Sequence, residues 1–241
     1  MPAQGPPLVL YGDFTDPWSY LASRRAAALA GAGVEVDWRA VSVRPARRAG
    51  TGFTDLRADV DRVLTHLLPE EDLPYCLAGF ACAPSTGTLA GYAAAYAAEA
   101  AACVRQLLFD AFWVHGCDLG DPLLVRTLVV DAVRSGAGVP DGWTYRLTAR
   151  GEPRDPAIRR LVARWAEGWR AGPRLGAGPV LRVGAAAPLH GAAALAWLGA
   201  ELTRRGVDPV PSTAAAHPPC CPDLGSDLGS DLGSGRLAHA G

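Results

Sequence analysis

Chemistry in this chain must be done with sulfur, carboxylate, hydroxyl or imidazole, because all 23 basic residues are Arg and there is neither Lys nor Asn. Schiff-base lysines, phosphate-loop lysines and catalytic asparagines are thereby excluded. The six cysteines are Cys76, Cys82, Cys103, Cys117, Cys220 and Cys221, and no two are spaced Cys-x-x-Cys. That spacing is what a redox turn or a zinc site would require. Cys103 and Cys117 fall in helical sequence and read as small core residues. Cys76 and Cys82 can pair only if the intervening loop folds back, and Cys220-Cys221 sits in a tail. Of the histidines at 66, 115, 190, 217 and 239, none stands in a His-x-x-x-His pattern with a carboxylate, so no metal site is expected. His190, just before the last predicted helix, is the best general-base candidate.

Asp16-Pro17-Trp18-Ser19 is the remaining chemistry-bearing cluster. Asp followed by Pro is a helix start, with Asp as N-cap and Pro at the first helical position. Asp121-Pro122 and Asp155-Pro156 repeat the signal. A carboxylate there is also a base toward a neutral thiol or an acidic carbon, if burial raises its pKa. Ser19 reads as a first-turn serine, Thr15 as a strand-end threonine that also offers a hydroxyl. Trp18 and Tyr20 read as core or as an aromatic wall for a planar ligand.

The elements that position these residues are legible. Leu8-Val9-Leu10-Tyr11 is a buried strand ending at Gly12-Asp13. A helix follows from Asp16-Pro17 to the Gly31-Ala32-Gly33 break, and 34–41 reads as a half-buried strand. This βαβ unit should place its strands parallel. Helices are predicted near 54–67, 88–116, 121–134 and 155–170, the last with Ile158, Leu161, Val162, Trp165 and Trp169 at helical spacing. Strand character returns at Pro179–Val183 and briefly near Ala187–Leu189, before a helix over 191–204. The order βαβ, helical block, ββα fits a thioredoxin-like α/β sheet with an inserted all-helical subdomain, since neither sheet fragment can bury its faces alone. The expected domain is 8–205, with sheet parts about 8–45 and 172–205 and a helical insertion about 54–171. Residues 207–241, with three tandem Asp-Leu-Gly-Ser copies at 223–234, read as a disordered low-complexity tail.

A net charge of −1 gives no electrostatic footprint for nucleic acid or an anionic membrane. The N-terminus has no basic and apolar leader pattern, and no run of about 20 apolar residues suggests a span. The expectation is a cytoplasmic protein whose cysteines are reduced.

The segment "LVLYGDFTDPWSYLASRR" (8–25) resembles the opening of DsbA-like thioredoxin-fold proteins, a group that includes 2-hydroxychromene-2-carboxylate isomerases and kappa-class glutathione transferases. Those proteins share a strand, an Asp, and a Cys/Ser-Pro-aromatic-Cys/Ser turn entering a helix. "LLFDAFWVHGCDLGDPLLVRTL" (107–128) is similar to their helical insertion, and "AGPVLRVG" (177–184) is placed like the segment carrying their cis-proline. The resemblance spans roughly 8–205. It implies a thiol site where the first helix begins, with Asp16 and Ser19 at the two positions of the active turn. Gly178 and a cis-Pro179 would then supply the facing backbone edge, with Thr15 and Trp18 beside them.

The chain departs from that pattern at its chemical centre. Redox relatives carry cysteine at both turn positions, and glutathione-using relatives carry serine at the first. With Asp16 in that place there is no nucleophile for a mixed disulfide. An ionised carboxylate only accepts hydrogen bonds and disfavours a neighbouring thiolate. Three readings follow. One is a thiol-cofactor-dependent isomerase or transferase of the oxidoreductase superfamily, with Asp16, Ser19 and His190 as catalytic candidates and glutathione or another low-molecular-weight thiol as cofactor, acting on a small thiol or thiol-conjugated substrate. Another is a binding or regulatory protein that keeps the cleft without the chemistry. A third, a working disulfide oxidoreductase, needs Cys76, Cys82 or the tail cysteines to reach the cleft.

Overall fold

The computed structural model describes residues 7–42, 86–135, 156–171 and 178–208. The helix expected near 54–67, His66, Cys76, Cys82 and the repeat tail lie outside them. The described elements run β1 (Leu8–Gly12), α1 (Pro17–Gly31), β2 (Val36–Ala40), α2 (Thr86–Ala97), α3 (Ala101–Trp113), α4 (Pro122–Ser135), α5 (Pro156–Arg170), β3 (Val180–Val183), β4 (Leu189–His190) and α6 (Ala192–Arg204). This is a mixed α/β arrangement with the expected order of strands and helices.

The sheet order is β2-β1-β3-β4. β1 and β2 are parallel, as the helical crossover between them requires. β1 with β3, and β3 with β4, are antiparallel. Register sorts the side chains onto two faces. Leu10, Gly12, Trp38, Ala40 and Leu181 share one, while Tyr11, Arg39, Val180 and His190 form a row on the other. α1 and α6 pack together on the first side, where Arg25 Nη1 donates to the Leu195 carbonyl at 2.6 Å. α5 lies on the second: Arg182 Nη2 donates to Gly168 O at 2.9 Å, and a Cβ at Gly168 would press on the Tyr11 hydroxyl.

β2 is an edge strand, and its outward polar groups need partners. α2 supplies two: Tyr92 Oη donates to Trp38 O at 3.1 Å and Tyr96 Oη to Asp37 Oδ1 at 2.9 Å. Burial pushes the Tyr92 phenol pKa up, which keeps it a donor. Phe14, Tyr20, Trp38, Tyr92, Phe109 and Trp113 form the buried aromatic centre, with Tyr20 stacked on Trp113 at 5.4 Å.

One helix was expected over 88–116, and the structure has two. Glu99 adopts φ 61° and ends α2. Ala100 N–H donates to Ala95 O at 2.9 Å and Glu99 N–H to Tyr96 O at 3.2 Å, the bonds of a Schellman cap. A cap on a non-glycine residue inside an alanine run leaves no breaker for the sequence to show. The short strand expected at 187–189 falls at Leu189–His190.

Candidate functional site

β1 delivers the chain to a closed polar turn. Gly12 lies against the Trp38 indole: a Cβ there would enter the six-membered ring and come within 3.2 Å of Ser19 Cβ. Asp13, fully buried, accepts from Thr15 N–H and Thr15 Oγ1 through Oδ1, both at 2.9 Å. Asp16, also buried, caps α1 with φ −98° and ψ 124°. Its Oδ2 accepts from Ser19 N–H and from Ser19 Oγ, both at 2.7 Å. Ser19 Oγ in turn accepts from Asp13 N–H at 3.1 Å. Trp113 Nε1 fixes the turn from α3 by donating to Phe14 O at 3.0 Å.

The chemistry follows from counting protons. A hydroxyl has one to donate. That of Ser19 goes to Asp16 and that of Thr15 to Asp13, so neither is left to stabilise a thiolate. A carboxylate at the helix entrance takes up the N–H groups and positive end of the helix that would otherwise lower a thiol pKa.

Trp18, half-buried on the first turn, faces the chain's other predicted site segment: its Cβ is 3.9 Å from where a Gly178 Cβ would stand. Gly178 has φ +131°, and a Cβ on it would also come within 3.2 Å of Gly191 Cα. Gly191 N–H donates to Pro179 O at 2.9 Å and begins α6 with no side-chain cap. The entrances of α1 and α6 therefore meet at Gly178, one closed by its own carboxylate and one presenting uncapped N–H groups.

Pro179 is not the cis-proline that the resemblance implies; no described peptide bond is cis. Gly178, free of a Cβ, makes the change of direction through its own φ. His190 does not join the turn. Paired with Val180, it lies on the α5 side of the sheet, and its buried Nε2 has no hydrogen-bond partner among the described residues. Cys103 and Cys117 are both thiols, and burial pushes the Cys117 pKa up, away from the reactive thiolate. Among the described residues, no group of His, Cys, Asp and Glu is placed to hold a metal ion.

Asp13 and Arg105 were not singled out from the sequence. Asp13 had read only as the end of a strand. Arg105 is 5% exposed on α3, with its guanidinium over the Trp38 ring at 5.4 Å from the centroid. Among the described residues its Nε has no partner, nor does Trp38 Nε1, and no carboxylate pairs with it. Burial pulls its pKa down. A desolvated cation–π contact contributes about 2 kcal/mol, whereas an uncompensated buried ion costs several kcal/mol.

No family model matches the chain, and no curated protein matches it significantly. Solved structures do. It is similar to a 2-hydroxychromene-2-carboxylate isomerase at 20% identity, with a TM-score of 0.57 over 82% of this chain and 94% of that one. It is also similar to the cytosolic disulfide reductase DsbM from Pseudomonas aeruginosa with GSH, at 18% identity and a TM-score of 0.57 over 83% of this chain and 99% of that one. At such identities the likeness establishes the fold: the chain has the DsbA-like thioredoxin fold.

Proposed function

We propose that this DsbA-like thioredoxin-fold chain binds a small thiol or thiol-conjugated molecule, glutathione first among them, in the angle between Trp18 and Gly178, and does so without dithiol–disulfide exchange. The supporting observation is the meeting of the two helix entrances at Gly178. The uncapped start of α6 offers N–H donors to an acceptor on the ligand. The Trp18 face offers it an apolar wall. At neutral pH a free thiol is mostly protonated. Beside the Asp16 carboxylate it stays so, a weak S–H donor rather than a nucleophile. An isomerase or transferase would draw on Asp16 as the base, with Ser19 and Thr15 holding the turn. In this reading Pro179 is scaffold and His190 acts only if the ligand reaches past β4. Location in the cytoplasm is part of the proposal, and no described helix is long and apolar enough to cross a membrane.

The closed circuit of Asp13, Thr15, Asp16 and Ser19 favours a second reading, a binding or regulatory protein in which the cleft persists without catalysis. Calorimetric titration of the full chain with glutathione, repeated with S-methylglutathione and with Trp18→Ala, separates the two. The thiol reading expects saturable heat with glutathione, weakened about tenfold or more by Trp18→Ala in a variant whose melting shows it folded. If neither glutathione nor other cellular low-molecular-weight thiols gives heat, the silent reading stands and the thiol reading is withdrawn.

A further inference from the structure

Arg105 is a buried cation on α3, set over the Trp38 indole and paired with no carboxylate among the described residues. The two neighbouring polar atoms left unsatisfied, Arg105 Nε and Trp38 Nε1, are both donors. Tyr92 Oη already donates to the Trp38 carbonyl. Donors are in surplus at this spot, so the group that completes it is an acceptor, and the uncompensated charge makes it an anion. A guanidinium beside an indole still offers its in-plane Nε–H and Nη–H edge. That edge matches two oxygens of one oxyanion in a bidentate bond.

We propose that Arg105 is the anchor of an oxyanion-binding position between α3 and β2, taking the carboxylate or phosphate group of a small molecule. It uses neither Trp18, Asp16 nor Gly178, and so stands apart from the thiol reading. Trp38 links the two places physically. Its six-membered ring packs on Gly12 beside Ser19, and Arg105 lies over the same indole. An anion seated on Arg105 therefore stiffens the wall behind the α1 entrance.

The test is anion-dependent stability of the full chain at constant ionic strength, with acetate in one arm and inorganic phosphate in the other. The wild type is expected to show a saturable rise in Tm of about 5–10 °C once an anion exceeds its Kd about a hundredfold. Arg105→Met is expected to lose the rise and, without added anion, to melt no lower than wild type, since replacing an unpaired buried charge by an apolar side chain relieves it. The arm that saturates identifies the oxyanion. A wild-type Tm that responds to neither anion, or responds equally in Arg105→Met, overturns the site; a buried water as the natural occupant would give that result. Should Arg105→Met fail to fold, 15N-arginine NMR of the wild type decides. One Nε–H resonance is expected to shift saturably with the anion, and the absence of any such shift refutes the proposal.

Discussion

Asp16→Ala is expected to lower stability by about 2–4 kcal/mol in urea unfolding, well beyond the loss of an ordinary helix cap. A cap contributes about 1 kcal/mol. Here the same carboxylate oxygen also takes the Ser19 hydroxyl, so its removal strands a buried N–H and a buried O–H together. Each unsatisfied buried group costs about 1–3 kcal/mol. For a chain of this size the Tm should fall by about 5–15 °C. Asp16→Asn keeps an acceptor and loses only charge, so it should recover at least half of the stability. If Asp16→Ala unfolds within about 0.5 kcal/mol of wild type, the turn is not the closed structural unit described here. Asp16 would then be free for another role.

Gly12→Val should be more damaging still, by more than about 3 kcal/mol. The position has no space: the Trp38 ring and Ser19 Cβ occupy the volume a side chain would need. The ring cannot swing away, because Phe109 meets it edge-on at 5.5 Å and Arg105 lies over it. Overpacking of a rigid core ordinarily costs about 1–3 kcal/mol, and here the obstacle is an immobile indole. Trp38→Leu removes the obstacle. In the pair Gly12→Val and Trp38→Leu the losses should therefore be less than additive, by about 1–3 kcal/mol. Strict additivity would mean that the two residues do not share the volume assigned to them.

These two residues show what the sequence could and could not convey. β1, α1 and β2 were legible because their signals are local: an apolar run, an Asp-Pro start and a half-buried alternation. The parallel pairing of β1 with β2 followed from the crossover alone. Asp16 as a cap was legible for the same reason. What lay beyond reach depends on distant parts of the chain. Gly12 is glycine because of Trp38, and Arg105 matters because no described carboxylate answers its charge. The break at Glu99 is made by backbone bonds in a run of alanines with no composition to mark it. Gly178 and Trp18 were placed by resemblance, and the structure sets them side by side. The same resemblance implied a cis bond at Pro179 that the fold does not contain.

At the head of α1 stands a carboxylate engaged with its own serine, and the proposed function has no thiol exchanging there. Reduction of insulin disulfides, with glutathione as the supplied reductant, examines it directly. The wild-type chain and a variant with all six cysteines replaced by serine should both leave the rate at that of reductant alone. Clear acceleration by the wild type that disappears in the cysteine-free variant would contradict the account, because a thiol of this chain would then be exchanging after all.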